Sequence, residues 1–254
     1  MEFVKVEGLG NDFIVIEGPA APSSEDIVSW CDRRFGIGAD GVLELTVLSN
    51  NRIRMRYWNA DGREAEMCGN GLRCLVKLAV RGGLVDTPNL IVETSAGLLS
   101  ASLQSNGLIR ALVGTPTSVG DPFDFGEFTV HPIRIGNPHA VVFVEDIDEA
   151  PVASLGSTLE LHEAFPDRSN VEFVVIDDLG RLKMRIWERG VGETLASGTG
   201  AAAAAYAASL YRKVELPIEV LLPGGSLTIE LIQGEAWMIG PGNEVYRGSI
   251  GSRA

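Results

Sequence analysis

Short runs of apolar and β-branched residues alternate with glycine-containing turns along most of the chain, which is typical of β-strands joined by tight connections. The predicted strands form two similar series. The first comprises 3–6, 13–17, 42–48, 53–58, 90–93, 98–103 and 109–113, and the second comprises 128–135, 140–144, 171–176, 184–187, 218–222, 226–232 and 235–239. A last strand at 244–250 is predicted to return to the first series.

Helical patterns are few, and the two longest occupy the same place in each series. Residues 69–80 are apolar except for one charged stripe at spacing four, and residues 198–211 are rich in alanine. A helix that is apolar around most of its circumference is enclosed by other elements. Shorter helical segments are predicted at 24–31 and, interrupted by loop residues, at 147–165.

The two series contain a sequence repeat, since residues 55–71 (MRYWNADGREAEMCGNG) resemble residues 184–200 (MRIWERGVGETLASGTG) at a constant offset of 129 (184 − 55). Gly10-Asn11 is echoed by Gly136-Asn137. Two homologous halves are the economical interpretation. We therefore predict an α/β (α+β) fold of two pseudo-symmetric domains, each a mixed sheet or barrel around a central helix. The glycine- and proline-rich segment 116–122 marks the boundary, giving domains 1–115, joined by 244–254, and 116–243.

Composition excludes several classes of function. A length of 254 residues, 45% hydrophobic and 22% charged, is ordinary for two globular domains. The net charge of −13 disfavours nucleic acid and anionic membrane surfaces as partners. The N-terminus has no signal-peptide pattern, and no apolar run suggests a membrane span, so we expect a cytoplasmic protein. Three cysteines without metal-like spacing indicate free thiols rather than disulfides or a metal site.

Cys68 and Ser197 occupy equivalent positions in the repeat, each followed by Gly-x-Gly and a predicted helix. Unpaired amides and the dipole at a helix N-terminus favour a thiolate and bind anions, and glycine permits close approach of a ligand. Two such ends could hold a carboxylate together with the charge that develops when its α-carbon loses a proton. A buried inert cysteine and a simple N-cap serine are the competing interpretations. Cys31 and Cys74 are expected to be inert.

Other polar residues near glycine turns suit recognition of an amino acid, although each has a structural alternative. Arg189 could grip a carboxylate in bidentate fashion or form a surface ion pair with a neighbour. His139 either orients a site or caps a turn. Asparagine at a strand end is an ordinary turn residue but also a good ligand for ammonium and carboxylate groups. The asparagines in such places are Asn11, Asn59, Asn137 and Asn170.

The motifs GLGNDF, GIGADG, NADGREAEMCGNGLRC, GNPHAVVFV, RSNVEFV and ERGVGETLASGTG resemble, in order and across nearly the whole chain, the diaminopimelate epimerases. That family is similar in fold to proline racemase. The resemblance implies an active site in the cleft between two domains, a homodimer in lysine and peptidoglycan precursor synthesis, and no metal or pyridoxal phosphate cofactor. Two cysteines would invert the α-carbon, one removing a proton and the other donating one from the opposite face.

Carried over by motif, Cys68 is one catalytic cysteine, and His139 supports the site within its GNPH motif. The implied substrate-binding residues are Asn11, Asn59, Gly69, Asn70, Asn137, Asn170, Glu188, Arg189, Gly198 and Thr199. Ser197 departs from the family pattern ETLACGTG, which has the second cysteine there. An engineered variant and a natural paralogue both explain this serine.

A serine hydroxyl has a pKa far above the ~8.5 of a thiol, so it is a poor proton acceptor without a neighbouring base. We therefore expect substrate binding with epimerase turnover reduced by orders of magnitude. The alternatives are a one-base dehydratase or lyase of the proline racemase-like group and a non-catalytic amino-acid-binding protein.

Overall fold

A computed structural model describes residues 1–251 of the chain. The chain divides into two compact units, which we call the first unit (Met1–Ala111 with the segment that starts at Gly240) and the second unit (Leu112–Ile239). The division falls inside a strand, and the glycine- and proline-rich segment 116–122 belongs to the second unit.

The described residues of the first unit contain two helices and most of the strands predicted for the first half. In order they are β1 (Glu2–Gly8), β2 (Asn11–Glu17), α1 (Ser24–Cys31), β3 (Gly41–Ser49), β4 (Arg52–Asn59), β5 (Glu64–Ala65), α2 (Gly69–Arg81), β6 (Asn89–Thr94), β7 (Gly97–Leu103) and β8 (Ile109–Gly114), which runs across the division.

The second unit repeats this plan after two short strands. Its elements are β9 (Thr117–Ser118), β10 (Phe123–Phe125), β11 (Phe128–Ile135), β12 (Asn137–Phe143), α3 (Val152–Glu160), β13 (Asn170–Ile176), β14 (Leu182–Glu188), β15 (Gly192–Thr194), α4 (Gly198–Arg212), β16 (Ile218–Leu222), β17 (Gly225–Ile232) and β18 (Glu235–Gly240). The last strand, β19 (Asn243–Ser249), pairs antiparallel with β1, as the sequence predicts.

Strand pairing is the same in both units. The order β1-β2-β3-β4-β6-β7-β8 corresponds to β11-β12-β13-β14-β16-β17-β18, with parallel pairs at β2–β3 and β4–β6 and at β12–β13 and β14–β16. The β4–β5 and β14–β15 hairpins also have the same register. Tyr57 pairs with Ala65, and the residues 129 positions later, Ile186 and Thr194, pair with each other. The prediction of two homologous halves is confirmed.

Each unit wraps its strands around one central helix. Helix α2 packs against β1, β2, β4 and β7, and α4 packs against β11 to β14, β16 and β17. The second glycine of each Gly-x-Gly turn permits this approach. A Cβ on Gly71 would lie 2.9 Å from Leu43, and one on Gly200 would lie 2.7 Å from Ile186. These glycines therefore fix the distance between helix and sheet.

The prediction of an interrupted helical region over 147–165 is only partly correct, because α3 is shorter. It begins after Pro151 and ends at Glu160. The ring of Pro151 disfavours helical geometry in Ala150, the residue before it, so α3 does not extend toward residue 147. Within residues 1–251, no helix has both the length and the apolar character needed to cross a membrane.

His131 in β11 carries a prediction about acid stability. It is buried between the rings of Phe143 and Tyr211, and neither ring nitrogen has a hydrogen-bond partner among the described residues. Burial, and then the charge of Arg212, lower the pKa of His131. Below pH ~6.5 the histidine is protonated in the unfolded chain but stays neutral in the folded protein. The free energy of unfolding therefore decreases as the pH falls.

We expect His131→Phe to reduce the loss in free energy of unfolding between about pH 7 and pH 5. Urea unfolding at the two pH values measures this. An identical loss in the variant and the parent would contradict the assignment.

Candidate active site

Cys68 is the N-cap of α2 and its side chain does not cap the helix. The thiol is half-buried and donates instead to Asn11 Oδ1 at 3.7 Å. Asn70 Nδ2 donates to the same oxygen at 3.3 Å. The thiol, the amide of Asn70 and the first backbone amides of α2 therefore lie together at one end of the first unit.

Strand register explains why Asn11 and Asn59 belong to this end. Strand β2 begins at Asn11 and β4 ends at Asn59, while Gly41, the first residue of β3, pairs with both Phe13 and Asn59. Asn11 Nδ2 donates to Asp40 Oδ2 at 2.8 Å, which directs its amide oxygen toward Cys68. Asn59 Oδ1 accepts from the Tyr57 hydroxyl at 2.6 Å.

Ser197 is the N-cap of α4, and here the side chain does cap. Its Oγ accepts from the backbone N–H of Gly200 at 3.2 Å and lies 3.4 Å from Thr199 Oγ1. This is the contact expected of an ordinary N-cap serine. The hydroxyl of Ser197 therefore accepts a hydrogen bond from the helix backbone, whereas the thiol of Cys68 donates one to the side chain of Asn11.

His139 and Glu172 form a fully buried pair beside the start of α4. His139 Nδ1 lies 2.6 Å from Glu172 Oε1, and His139 Nε2 lies 2.9 Å from Asn137 Oδ1. With Asn137 Oδ1 as acceptor, Nε2 carries a proton, so Nδ1 and Oε1 share a second one. Burial raises the pKa of Glu172, which favours this shared proton. The two groups hold the Asn137 amide in one orientation.

The remaining polar residues of the second unit gather at the same sheet end through register. Strand β13 begins at Asn170, which pairs with His139, and β14 ends at Glu188. Asn170 Oδ1 accepts from the backbone N–H of Arg189 at 2.9 Å. Glu188 Oε1 accepts from the Thr194 hydroxyl at 2.5 Å, and burial raises the pKa of Glu188.

Arg189 is exposed and its guanidinium donates to the backbone oxygen of Asp167 at 2.8 Å. The alternative of a surface ion pair finds no support among residues 1–251, where no carboxylate lies within salt-bridge distance of this side chain. Residues 1–251 use one of the five donors of the guanidinium group, so four are open to a ligand within this part of the chain.

Sequence reasoning missed two acidic residues that orient the predicted ones. Asp40 orients Asn11, and Glu172 orients His139. Glu172 could have been found, because it is the one charged residue within the apolar run 171–176. Asp40 gave no such signal, since aspartate in a Gly-rich turn is common.

The two other cysteines are buried, as predicted. Burial raises the pKa of Cys31 to about 11 and that of Cys74 to about 12, so both are neutral thiols at physiological pH. Within the described part of the chain, no three His, Cys, Asp or Glu side chains are placed to hold a metal ion.

Comparison with known proteins places the chain in a family. The family model for diaminopimelate epimerase matches residues 3–119 and 132–246. The chain belongs to the diaminopimelate epimerase family. It is 42% identical to the diaminopimelate epimerase of Desulforudis audaxviator (strain MP104C), covering 98% of both chains, and 39% identical to that of Moorella thermoacetica, covering 98% of this chain and 99% of the other.

Solved structures with low sequence identity share the fold of this diaminopimelate epimerase family member. A Bacillus anthracis phenazine biosynthesis protein of the PhzF family has a TM-score of 0.74 at 15% identity, with 98% of each chain covered. A probable proline racemase from Agrobacterium radiobacter K84 has a TM-score of 0.71 at 16% identity, covering 98% of this chain and 92% of the other. The expected relation to the proline racemase fold is confirmed.

The buried pair predicts unequal effects of two substitutions at Glu172 in this family member. Glu172→Ala leaves a cavity and removes the partner of His139 Nδ1, so we expect a loss of about 2–4 kcal/mol in the free energy of unfolding. Glu172→Gln keeps the size and a donor for Nδ1, and its loss should be smaller. Urea unfolding of both variants measures the difference, and equal losses would contradict a role for this hydrogen bond.

Proposed function

We propose that this protein is a cofactor-independent amino-acid epimerase scaffold that binds LL- and meso-diaminopimelate and is limited in turnover by Ser197. The observation that carries the proposal is the Cys68 thiol, which starts helix α2 beside Asn11 and Asn70 in a chain of this family. Cys68 removes the α-proton of the substrate. The electron pair left on the α-carbon delocalises into the α-carboxylate, and the backbone amides at the starts of α2 and α4 stabilise that charge.

Position 197 serves the opposite face of the α-carbon in this proposal. Inversion needs a proton to be delivered there, and the reverse direction needs a base there. A serine hydroxyl can donate a proton or hold a water but accepts one poorly. Proton removal by Cys68, followed by return of a solvent proton to the same face, needs no second base. We therefore expect exchange of the α-hydrogen to exceed inversion.

The other polar residues bind the substrate. Arg189 and the asparagines recognise the charged amino-acid groups, with His139 and Glu172 fixing Asn137 in place. Bidentate pairing of a guanidinium with a carboxylate gives both strength and orientation. The residues to which we assign binding are Asn11, Asn59, Gly69, Asn70, Asn137, Asn170, Glu188, Arg189, Gly198 and Thr199.

Incubation with LL- and meso-diaminopimelate in deuterated water tests the proposal. Loss of the α-proton signal in NMR measures exchange, and chiral chromatography measures inversion. Exchange with retained configuration, abolished by Cys68→Ala, is the expected result. The absence of both exchange and inversion would overturn the proposal.

A non-catalytic binding protein is the second candidate, and the capping contact of Ser197 is the observation that favours it, because that hydroxyl already has a structural role. Calorimetric binding of diaminopimelate without any exchange would select it.

A one-base lyase would instead release water from a β-hydroxylated amino acid. The family resemblance also leads us to propose that the protein is a cytoplasmic homodimer. Light scattering measures the molar mass in solution and so tests the dimer.

A further inference from the structure

Glu160 is a buried carboxylate at the end of α3 that the proposed mechanism does not use. It is the last residue of the helix, and 7% of its surface is exposed. Two effects oppose a carboxylate in this place. Burial of a charge is costly unless it is compensated, and the C-terminus of a helix is the negative end of its dipole. The contacts of Glu160 must therefore offset both effects.

Both carboxylate oxygens of Glu160 accept hydrogen bonds from the end of β14 and the turn that follows it. Oε1 accepts from the backbone N–H of Gly190 at 3.1 Å, and Oε2 accepts from Trp187 Nε1 at 2.8 Å. The two donors flank Glu188 and Arg189, which are residues of the candidate site. Glu160 therefore holds the chain on both sides of that pair.

Glu160 also holds the segment that leads into β13. Its backbone oxygen accepts from the N–H of Ser169 at 3.1 Å, and its Oε1 lies 3.5 Å from Arg168 Nη1. Arg168 has a φ of 59°, a left-handed conformation that is unfavourable for a residue with a Cβ. Contacts with neighbouring groups must keep Arg168 in this conformation. Asn170, another residue of the candidate site, follows two positions later.

The two segments that Glu160 holds also contact each other through Arg189. The backbone N–H of Arg189 donates to Asn170 Oδ1 at 2.9 Å, and its guanidinium group donates to the backbone oxygen of Asp167 at 2.8 Å. The position of Arg189 thus depends on the turn after β14 and on the 167–170 segment together. Glu160 forms bonds with both of them.

The equivalent position in the first unit has no carboxylate. At the offset of 129 residues, Glu160 corresponds to Cys31, the last residue of α1, and Trp187 corresponds to Trp58. Cys31 and Trp58 belong to one buried apolar cluster. The packing of the repeated helix therefore does not require a carboxylate at its end. The carboxylate accompanies the half whose turn carries the Glu-Arg pair of the candidate site.

We propose that Glu160 is a positioning residue, whose carboxylate fixes the Glu188–Gly190 turn against the 167–170 segment and so places Arg189 for the substrate. Arg189 is exposed and has a long side chain, so a substrate that binds it must order it. A turn that is already fixed lowers this entropic cost of binding. The consequence for binding rests on the proposed function, which assigns Arg189 to recognition of the substrate.

Hydrogen exchange of the Gly190 amide, measured by NMR without substrate, tests the hold on the turn. Gly190 is exposed, so its hydrogen bond to Glu160 is the contact that slows this exchange. Glu160→Leu keeps a similar size and removes both acceptor oxygens. We expect the amide to exchange about tenfold faster in this variant, in line with the strength of a hydrogen bond to a charged group. An unchanged rate would overturn the inference.

The parent protein keeps the test decisive if Glu160→Leu does not fold. Its Gly190 amide should exchange about tenfold more slowly than the amide of an unstructured glycine. Exchange at the rate of an unstructured glycine would overturn the inference without any variant.

Calorimetric titration with diaminopimelate tests the consequence for the site. We expect Glu160→Leu to bind about tenfold more weakly than the parent, because Arg189 must then be ordered at the expense of binding. Val152→Ala is the matched control, since Val152 is a buried residue at the opposite end of α3 and its truncation loses packing of the same helix. This control should change neither the binding of diaminopimelate nor the exchange of Gly190.

The two measurements separate this inference from the proposed function. Exchange of the Gly190 amide needs no substrate. Faster exchange in Glu160→Leu, together with a parent that does not bind diaminopimelate, would refute the proposed function and leave the hold on the turn standing. Faster exchange together with diaminopimelate binding as tight as in the parent would overturn the positioning role of Glu160.

Discussion

Ser197→Cys is expected to raise the rate of diaminopimelate epimerisation by about 10²–10⁴-fold, the usual contribution of a positioned general acid or base. A thiol at this position can accept a proton as well as donate one, which the hydroxyl does poorly. The gain should be largest in the direction of the reaction in which residue 197 is the base. Chiral chromatography of LL- and meso-diaminopimelate over time measures both directions.

The backbone at position 197 is already suited to a catalytic cysteine. Ser197 has φ −136° and ψ 126°, close to the φ −137° and ψ 117° of Cys68. Because Cys68 does not cap its helix, a cysteine at 197 should give up the hydrogen bond from Gly200, at a cost of ~1 kcal/mol in stability. A small decrease in the midpoint of thermal unfolding should therefore accompany the gain in rate.

Ser197→Ala is the matched control, since it removes the cap and supplies no proton. If the hydroxyl or a water that it holds donates the proton for slow inversion, Ser197→Ala should invert more slowly than the parent while exchange by Cys68 continues. A Ser197→Cys variant that folds, binds diaminopimelate and epimerises no faster than the parent would contradict the assignment of position 197.

The central helices and their N-caps were predictable because several local signals agree there. A Gly-x-Gly turn followed by a long apolar segment fixed the starts of α2 and α4, with Cys68 and Ser197 as the caps. The four asparagines were predicted at strand ends, and Asn11, Asn59, Asn137 and Asn170 are the first or last residues of their strands. Turn chemistry is local, so the sequence reveals it.

Sheet order and the supporting charges depend on contacts that local patterns do not encode. The parallel pairs β2–β3 and β12–β13 join strands separated by a helix, so their partners cannot be read from periodicity. In the sequence Arg73 belongs to a charged stripe with Lys77 and Arg81 at spacing four, and that spacing does not tell which member of the stripe is buried. In the structure Arg73 is buried, since the segment around Pro241 covers that part of α2.

Relative to the parent protein, Cys68→Ser is expected to exchange the α-hydrogen of diaminopimelate about 10²–10⁴-fold more slowly, at the uncatalysed background rate. It removes the sulfur and keeps nearly the same size, so binding should persist. NMR in deuterated water measures the exchange, and calorimetry measures the binding. Exchange that continues at the parent rate would show that another group is the base.

Moving the thiol from one repeat to the other gives the sharpest test of this chemistry. The parent has its thiol at position 68, and Cys68→Ser/Ser197→Cys has it at position 197. If the two positions serve opposite faces of one α-carbon, each protein should exchange the α-hydrogen of one configuration: one acts on the L centres of LL-diaminopimelate and the other on the D centre of the meso form.

Which configuration the parent selects then assigns the face that Cys68 serves. The result does not depend on the absolute rates, because the comparison is between exchange at the L centre and exchange at the D centre within each protein. Exchange at the same centre in both proteins would mean that the two helix ends do not act on opposite faces, and the epimerase mechanism would fail even if Ser197→Cys raised the overall rate.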